Sequence, residues 1–417
     1  MRIRTTLSAV VLLAMTSLAG GSLAGRTGQV ALPADARAVE CGLVAPDFKA
    51  PLRVFSPGYY QAQKPACLAD RMAFYKVPGV TMAVIDGHAV AWSKAYGVLE
   101  AGTNRPVTPE SVFEVASATK MLTAVITLRL VEQGVLGLDR DVNAYLKSWK
   151  VPAGPLTAAT PVTLRLLLTH RAGINRPDKG LPYDEQRPPT LPQVLAGAPP
   201  AINEGVVVER APGSSHQYSN IGFLVVQLVL EEATGKKYEQ LASELVFKPL
   251  GLDASTVSHP LAPAWRERWG VPHDEKAVAH ARGLMPGAVA HGGLVTTPSD
   301  LARLALEIAL ASEGRSTRLL SKRSAGLMLT RAADLDPGFG VPLGQGLGVM
   351  LLGEGQTLHF LHPGGNSPGA NCWIILSPAT GRGAAIMTNA AAGEALMLEI
   401  LASIANHYRW RDLAATR

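Results

Sequence analysis

Strand-like runs with turn residues between them gather at the two ends of this 417-residue chain, and the segment separating them is rich in helical spacing. Near the start, "GVTMAVI" and "AVAWSKAYG" are joined around Asp86-Gly87, a hairpin signal. Near the end, "TLHFLHPGG", "ANCWIILSP" and "GRGAAIMTNA" give three more runs, followed by "GEALMLEILASIANHYRW", with helical spacing at Leu396, Ile400, Ile404 and His407. The arrangement this predicts is an α/β (α+β) fold. A mainly antiparallel sheet flanked by helices is assembled from both chain ends, with a mostly helical domain inserted between them.

In the middle, "TLRLLLTH", "IGFLVVQLVLEEATG" and "YEQLASELVFKPLG" have helical spacing, and the last two stop at Gly235 and Gly251, as helix C-termini often do. The Pro-rich stretch from Arg176 to Pro200 reads as a long surface loop, of a length uncommon unless it covers something. "PACLADRMAFYKV" reads as a helix opening the ordered chain near Pro65. The expected division is residues 65–140 with 285–417 as the α/β domain and 141–284 as the helical insertion. Residues 25–64 are read as an extended lead-in and 1–24 as a signal peptide.

That leader reading rests on "MRIRTTLSAVVLLAMTSLAGGSLAG": a basic start, an apolar stretch from Leu7 to Leu18, and small residues at Ser22 and Ala24 suited to a signal-peptidase cut. It implies export, to the periplasm or beyond, without a stable membrane anchor, because no later segment reaches about 18 uninterrupted apolar residues. Cys41 and Cys67 either pair in that oxidising compartment or stay free, and spacing does not decide between them. Cys372, inside "NCWIIL", reads as a buried strand residue. The net charge of +6 falls to about +4 if Arg2 and Arg4 leave with the leader, and there is no Lys/Arg run interleaved with aromatics, so nucleic acid is not an expected partner.

"HPGGNSPG" contains Gly365-Asn366-Ser367-Pro368-Gly369, a literal G-x-S-x-G. A nucleophile elbow needs a helix after the serine, but Pro368-Gly369 opposes one and "ANCWIILSP" follows as a strand, so Ser367 reads as a turn residue. "FEVASATKMLTAVITLRLVEQG" offers a better candidate. Ser117 and Lys120 stand three apart at the start of a long apolar helix, on one face. A serine hydroxyl needs a base, and a lysine whose pKa is lowered by burial and neighbouring cations can serve.

In "HQYSNIGF", Tyr218 and Asn220 stand two apart before another apolar helix and can enter one cleft together. Tyr218 can act as base toward Ser117 if the Lys120 charge lowers its pKa, and Asn220 can donate to the substrate carbonyl side. At "HPGG", Gly364 and Gly365 allow substrate to approach the backbone closely, and the Gly365 N–H can join that of Ser117 as an oxyanion hole.

With these three pieces in this order, the chain resembles the serine hydrolases of the class C β-lactamase and DD-peptidase superfamily, which includes esterase-like members. The resemblance covers nearly all of the sequence after the leader: "FEVASATK" is similar to the nucleophile motif, "YSN" to the second motif, and "HPGG" stands in place of the Lys-Thr-Gly strand motif. "LLTHRAGI", "APGSSHQYSNIGF", "FKPLGL" and "HGGLVTTPSDLARL" support it. It implies a β-lactamase/transpeptidase-like fold, Ser117 as acyl-accepting nucleophile, Lys120 and Tyr218 as base and proton relay, and Asn220 as a substrate-orienting amide. His362 takes the place of the third-motif lysine, either assisting the relay or lining the cleft. The departure is Pro363, which has neither hydroxyl nor N–H to offer a substrate carboxylate.

The expected activity is therefore an exported acyl hydrolase acting on a small-molecule or peptide ester or amide, as esterase, D-amino-acid peptidase or DD-carboxypeptidase in preference to β-lactamase. No cofactor and no metal are expected: there is no H-E-x-x-H, and no histidine pair has metal-ligand spacing with a supporting carboxylate. A catalytically silent relative that binds cell-wall peptides or another protein is the competing class, disfavoured because Ser117, Lys120 and Tyr218 are all present. The oligomeric state and the acyl and leaving groups are not readable from the sequence.

Overall fold

The structure is a computed structural model of the chain and describes residues 34–45, 61–177, 181–281, 285–335, 343–410 and 413. Residues 1–24, read above as a signal peptide, lie outside the described residues. Strands in chain order are β1 (Gly79–Asp86), β2 (Ala89–Gly97), β3 (Phe113–Glu114), β4 (Val295–Thr296), β5 (Ala333–Asp334), β6 (Leu343–Gln345), β7 (Met350–Leu352), β8 (His359–Asn366), β9 (Ala370–Ser377) and β10 (Arg382–Thr388). The helices that matter here are α1 (Ala34–Glu40), α2 (Leu68–Tyr75), α3 (Thr119–Glu132), α4 (Leu191–Ala196), α5 (Asn220–Thr234), α6 (Pro298–Ser312) and α7 (Gly393–His407).

Eight strands form one sheet in the order β2-β1-β10-β9-β8-β7-β6-β5, every pairing antiparallel. The two chain ends meet one strand in from an edge, where β1 pairs with β10 in the register Met82↔Ile386. Period-two alternation sends Val80, Met82 and Val84 into one apolar cluster and Ala83 and Ile85 into the other. Both faces of β1 are thus buried, which is why "GVTMAVI" reads as a nearly unbroken apolar run. Its hairpin closes with Gly87 at φ 57° and His88 at φ 66°, the pair of positive φ values that matches a two-residue loop to the strand twist.

On one face lies α7, whose Leu396, Ile400 and Ile404 share a cluster with Ala36 and Val39 of α1 and Leu68 and Met72 of α2. Within the segment read as an extended lead-in, Ala34–Glu40 is instead a helix, and its Val39 carbonyl accepts a buried hydrogen bond from Ser403 Oγ at 2.8 Å. The Cys41–Cys67 disulfide is formed and ties α1 to the start of α2, while Cys372 is free and buried in β9. Arg71 of α2 reaches the fully buried Glu399 of α7 through two nitrogens, and Tyr75 donates to the same carboxylate at 2.7 Å.

On the other face, α3 and α6 join a larger core that continues without a break into the helices of residues 164–250. All but three residues of α3 are buried, so it serves both the sheet side and the helical side, and its apolar residues run all round it. Segment 176–200, read as one loop, carries α4. Thr190 and Gln193 form a capping box there and Leu191, Val194 and Leu195 are buried.

Candidate active site

β3 leads straight into the turn that presents Ser117. Val115 N donates to Leu294 O at 3.0 Å, Leu294 N donates to Thr119 Oγ1 at 3.0 Å, and Ala118 N donates to Val115 O at 3.1 Å. Between these anchors Ala116 adopts φ 46°, the left-handed region that a residue with a Cβ enters only when its surroundings hold it, at a cost of roughly 1–3 kcal/mol. The strained residue immediately precedes the half-buried serine, and α3 begins immediately after the turn.

Lys120, in the first turn of α3, is fully buried, with Nζ 3.2 Å from Ser117 Oγ. It donates to Asn220 Oδ1 at 2.8 Å and to the His291 carbonyl at 2.7 Å. Burial holds its pKa well below the ordinary lysine value, and among the described residues no carboxylate opposes that shift. A neutral amine fits these contacts: its two N–H bonds serve the two carbonyl oxygens, and its lone pair faces the serine hydroxyl.

Ser219 caps α5 by accepting from Gly222 N at 3.2 Å and donates to Asn175 O at 2.7 Å, which frees its two neighbours for other work. Tyr218 donates to Ser117 Oγ at 2.8 Å, and Asn220 is the residue that holds Lys120. The Lys120 ammonium position lies 4.9 Å from the Tyr218 ring centroid. Tyr218 can act as base only if a lysine charge lowers its pKa. Burial instead pushes the phenol up to about 12, so it is a donor at neutral pH. Behind it stacks His170, at 4.3 Å between ring centroids, whose Nδ1 accepts from the Ser219 N–H at 3.1 Å. Burial and the nearby Lys120 keep that imidazole neutral.

β8 closes the site from the sheet. A Cβ on Gly364 would stand 2.0 Å from Val115 O and 3.2 Å from Ser117 N, so this glycine lets the strand lie directly against the nucleophile turn. Gly364 is buried by that packing, while Gly365, paired with Asn371, is exposed beside it. His362 is buried, with Nδ1 donating to Pro363 O at 2.7 Å, and its pKa is pushed down to about 3 by burial and then by Lys120. It makes no hydrogen bond to Ser117, Lys120 or Tyr218 among the described contacts, so it lines the site as a neutral ring. Ser367 sits in the exposed turn between β8 and β9, outside the Ser117 cluster.

The structure thus gathers Ser117, Lys120, Tyr218 and Asn220 into one hydrogen-bonded group, with His362, Gly364 and Gly365 on the strand beside it. Three participants escaped the sequence reading: Glu114, His170 and His291. The two histidines lie in "LLTHRAGI" and "HGGLVTTPSDLARL", where ordinary helix or loop roles explain them equally well. Among the described residues, no three His, Cys, Asp or Glu side chains converge as a metal site would need.

Comparison with known proteins identifies a family and a shared fold. The β-lactamase family model matches residues 65–408. The D-alanyl-D-alanine-carboxypeptidase/endopeptidase AmpH of Escherichia coli (strain K12) is 29% identical over 242 residues, which cover 54% of this chain and 56% of that protein. The chain therefore spans little more than half the length of that relative. Penicillin-binding protein 4 of Amycolatopsis lactamdurans is 29% identical over 324 residues, 76% of this chain and 81% of that one. The octameric penicillin-binding protein homologue from Pyrococcus abyssi shares the fold, with a TM-score of 0.66 at 23% identity over 82% of this chain and 79% of that chain.

Proposed function

The chain belongs to the β-lactamase family, and from that premise we propose that it is an exported serine acyl hydrolase working through an acyl-enzyme on an ester or amide. The observation that carries this reading is the contact of Ser117 Oγ with both Lys120 and Tyr218. In the reaction, Ser117 Oγ attacks the substrate carbonyl carbon as its proton passes to neutral Lys120. The carbonyl π electrons move to oxygen, and the N–H groups of Ser117 and Gly365 stabilise that oxyanion. Collapse expels the alkoxide or amine, which takes a proton from the Tyr218 hydroxyl as Tyr218 recovers one from the Lys120 ammonium. Water then attacks the Ser117 ester, loses its proton to the same base, and returns Ser117 with a free acid. Asn220, its oxygen held by Lys120, has its amide N–H left for the substrate carbonyl side.

Esterase, D-amino-acid peptidase or DD-carboxypeptidase activity ranks above β-lactamase activity, because Pro363 replaces the hydroxyl that would help hold a β-lactam carboxylate. Export belongs to the same proposal, supported by the leader-like N-terminus and by the Cys41–Cys67 disulfide, which suits an oxidising compartment. The test is hydrolysis of a p-nitrophenyl ester by the wild type beside Ser117→Ala. Turnover abolished in the variant is expected, and full activity in it would overturn the assignment.

A further inference from the structure

Near the nucleophile turn lies a small cavity of about 200 Å³, lined by Glu114, Leu181, Pro272, Met285, His291 and Asn366 among others. Its lining residues neighbour the site already described along the chain and through one hydrogen bond. Glu114 is three residues before Ser117 on β3, the His291 carbonyl holds Lys120, and Asn366 follows Gly365 on β8. The cavity is too small for a whole substrate and suits one substituent of it.

Glu114 is only 3% exposed, and its Oε2 accepts from Asn366 Nδ2 at 3.1 Å while its Oε1 has no partner. His291 Nδ1 is likewise buried without a partner. Two orphaned polar atoms on one cavity are a standing cost, whether the carboxyl is ionised or protonated, unless something enters to meet them. No lysine or arginine lines the cavity among the described residues, so an incoming carboxylate would meet a carboxyl group and a neutral imidazole. A group rich in N–H donors and positively charged satisfies both acceptors.

We infer that this cavity is a subsite for a primary ammonium group of the substrate, with Glu114 as its counter-ion and His291 Nδ1 as a second acceptor. Leu181, Pro272 and Met285 contribute apolar surface to its wall, which strengthens an ion pair formed against them. The inference rests on the acyl-hydrolase reading of the adjoining serine and adds to it a substrate class: amides or esters of amino acids or short peptides whose amino group is free. Burial already pushes the Glu114 carboxyl up to about 7, and an arriving ammonium draws it to the ionised form.

The test compares kcat/KM at pH 7 for alanine p-nitroanilide and its N-acetyl counterpart, in both enantiomers, with wild type and Glu114→Gln. Wild type should favour the free amine at least tenfold with one enantiomer, and that ratio should fall at least tenfold in the variant. Taking a ratio cancels any general loss of fold or of active enzyme. A binding readout runs beside it: n-propylammonium, and not n-propanol, should raise the melting temperature of wild type and leave Glu114→Gln unmoved. A ratio and a melting response that are the same in both proteins would overturn the subsite. If neither these anilides nor a neutral p-nitrophenyl ester is turned over, the hydrolase reading fails, and the melting experiment still decides whether Glu114 binds a cation.

Discussion

The Tyr218 hydroxyl donates to Ser117 Oγ across 2.8 Å. Because burial keeps that phenol protonated at neutral pH, it cannot also take the serine proton. The serine proton must then leave toward Lys120 Nζ, 3.2 Å away and itself buried without a counter-ion. The division of labour is Lys120 as base and Tyr218 as relay, set by one physical cause, burial, acting in opposite directions on an acid and on a cationic base.

The pH profile follows from that division. Lowering the Lys120 pKa means that neutral amine accumulates as pH rises through the lowered value, so kcat/KM should climb on the acid side and level off early. Were the Tyr218 anion the base, the rate would go on rising toward pH 12. Lys120→Arg should lose about 10²–10⁴-fold, as should Lys120→Met, because a guanidinium stays charged and a thioether takes no proton. A rate still rising steeply above pH 9, or an active arginine variant, would transfer the role to tyrosine.

Gly364→Ala should be far more damaging than a one-carbon change suggests. Its Cβ would meet Val115 O at 2.0 Å, backbone against backbone, so β8 or the nucleophile turn must shift. A displacement of about 1 Å costs on the order of 10²-fold in rate. Gly365→Ala, whose Cβ meets only Asn371 Oδ1 at 3.2 Å, should fold normally. Measuring kcat and melting temperature for both separates the two positions.

Glu114 gives a pH-dependent stability. Its carboxyl is raised from 4.5 to about 7 in the folded chain, so the buried neutral form stabilises the fold fully below pH 4.5, and that contribution is lost as pH rises through 7. The wild type should therefore lose about 3 kcal/mol relative to Glu114→Gln between those limits. Urea denaturation of both proteins at the two ends of the window checks it, and parallel stabilities would contradict it.

Arg71→Ala should cost about 3–5 kcal/mol, since it strands the fully buried Glu399 carboxylate with only Tyr75 to pair it. Adding Glu399→Gln to that variant should recover part of the loss. The double-mutant cycle by chemical denaturation reads both.

Much of this was legible in the residues because its signals are local. Apolar runs bounded by turn residues marked β1, β2, β8, β9 and β10, and S-x-x-K and Y-x-N each bring two functional side chains to one face by spacing alone. What escaped notice is non-local. β5, β6 and β7 are two or three residues long, too short to show alternation. α1 offers only Ala36 and Val39 as apolar contacts. Glu114 looks like one more polar residue beside an apolar helix, and only folding reveals that one of its oxygens has no partner. The lowered Lys120 pKa agrees with expectation, whereas the direction of the Tyr218 shift depends on how deeply the phenol is buried, which spacing does not carry.

The claim on which the rest depends is that Ser117 becomes acylated. An intact-mass time course of the wild type with a p-nitrophenyl ester, and separately with a penicillin, beside Ser117→Ala, tests it most directly. The ester should leave an acyl mass on the wild type, mapping to the peptide that contains Ser117 and missing from the variant, and any penicillin adduct should clear slowly. Turnover of the ester with no adduct at any time, or the same adduct on Ser117→Ala, would contradict it.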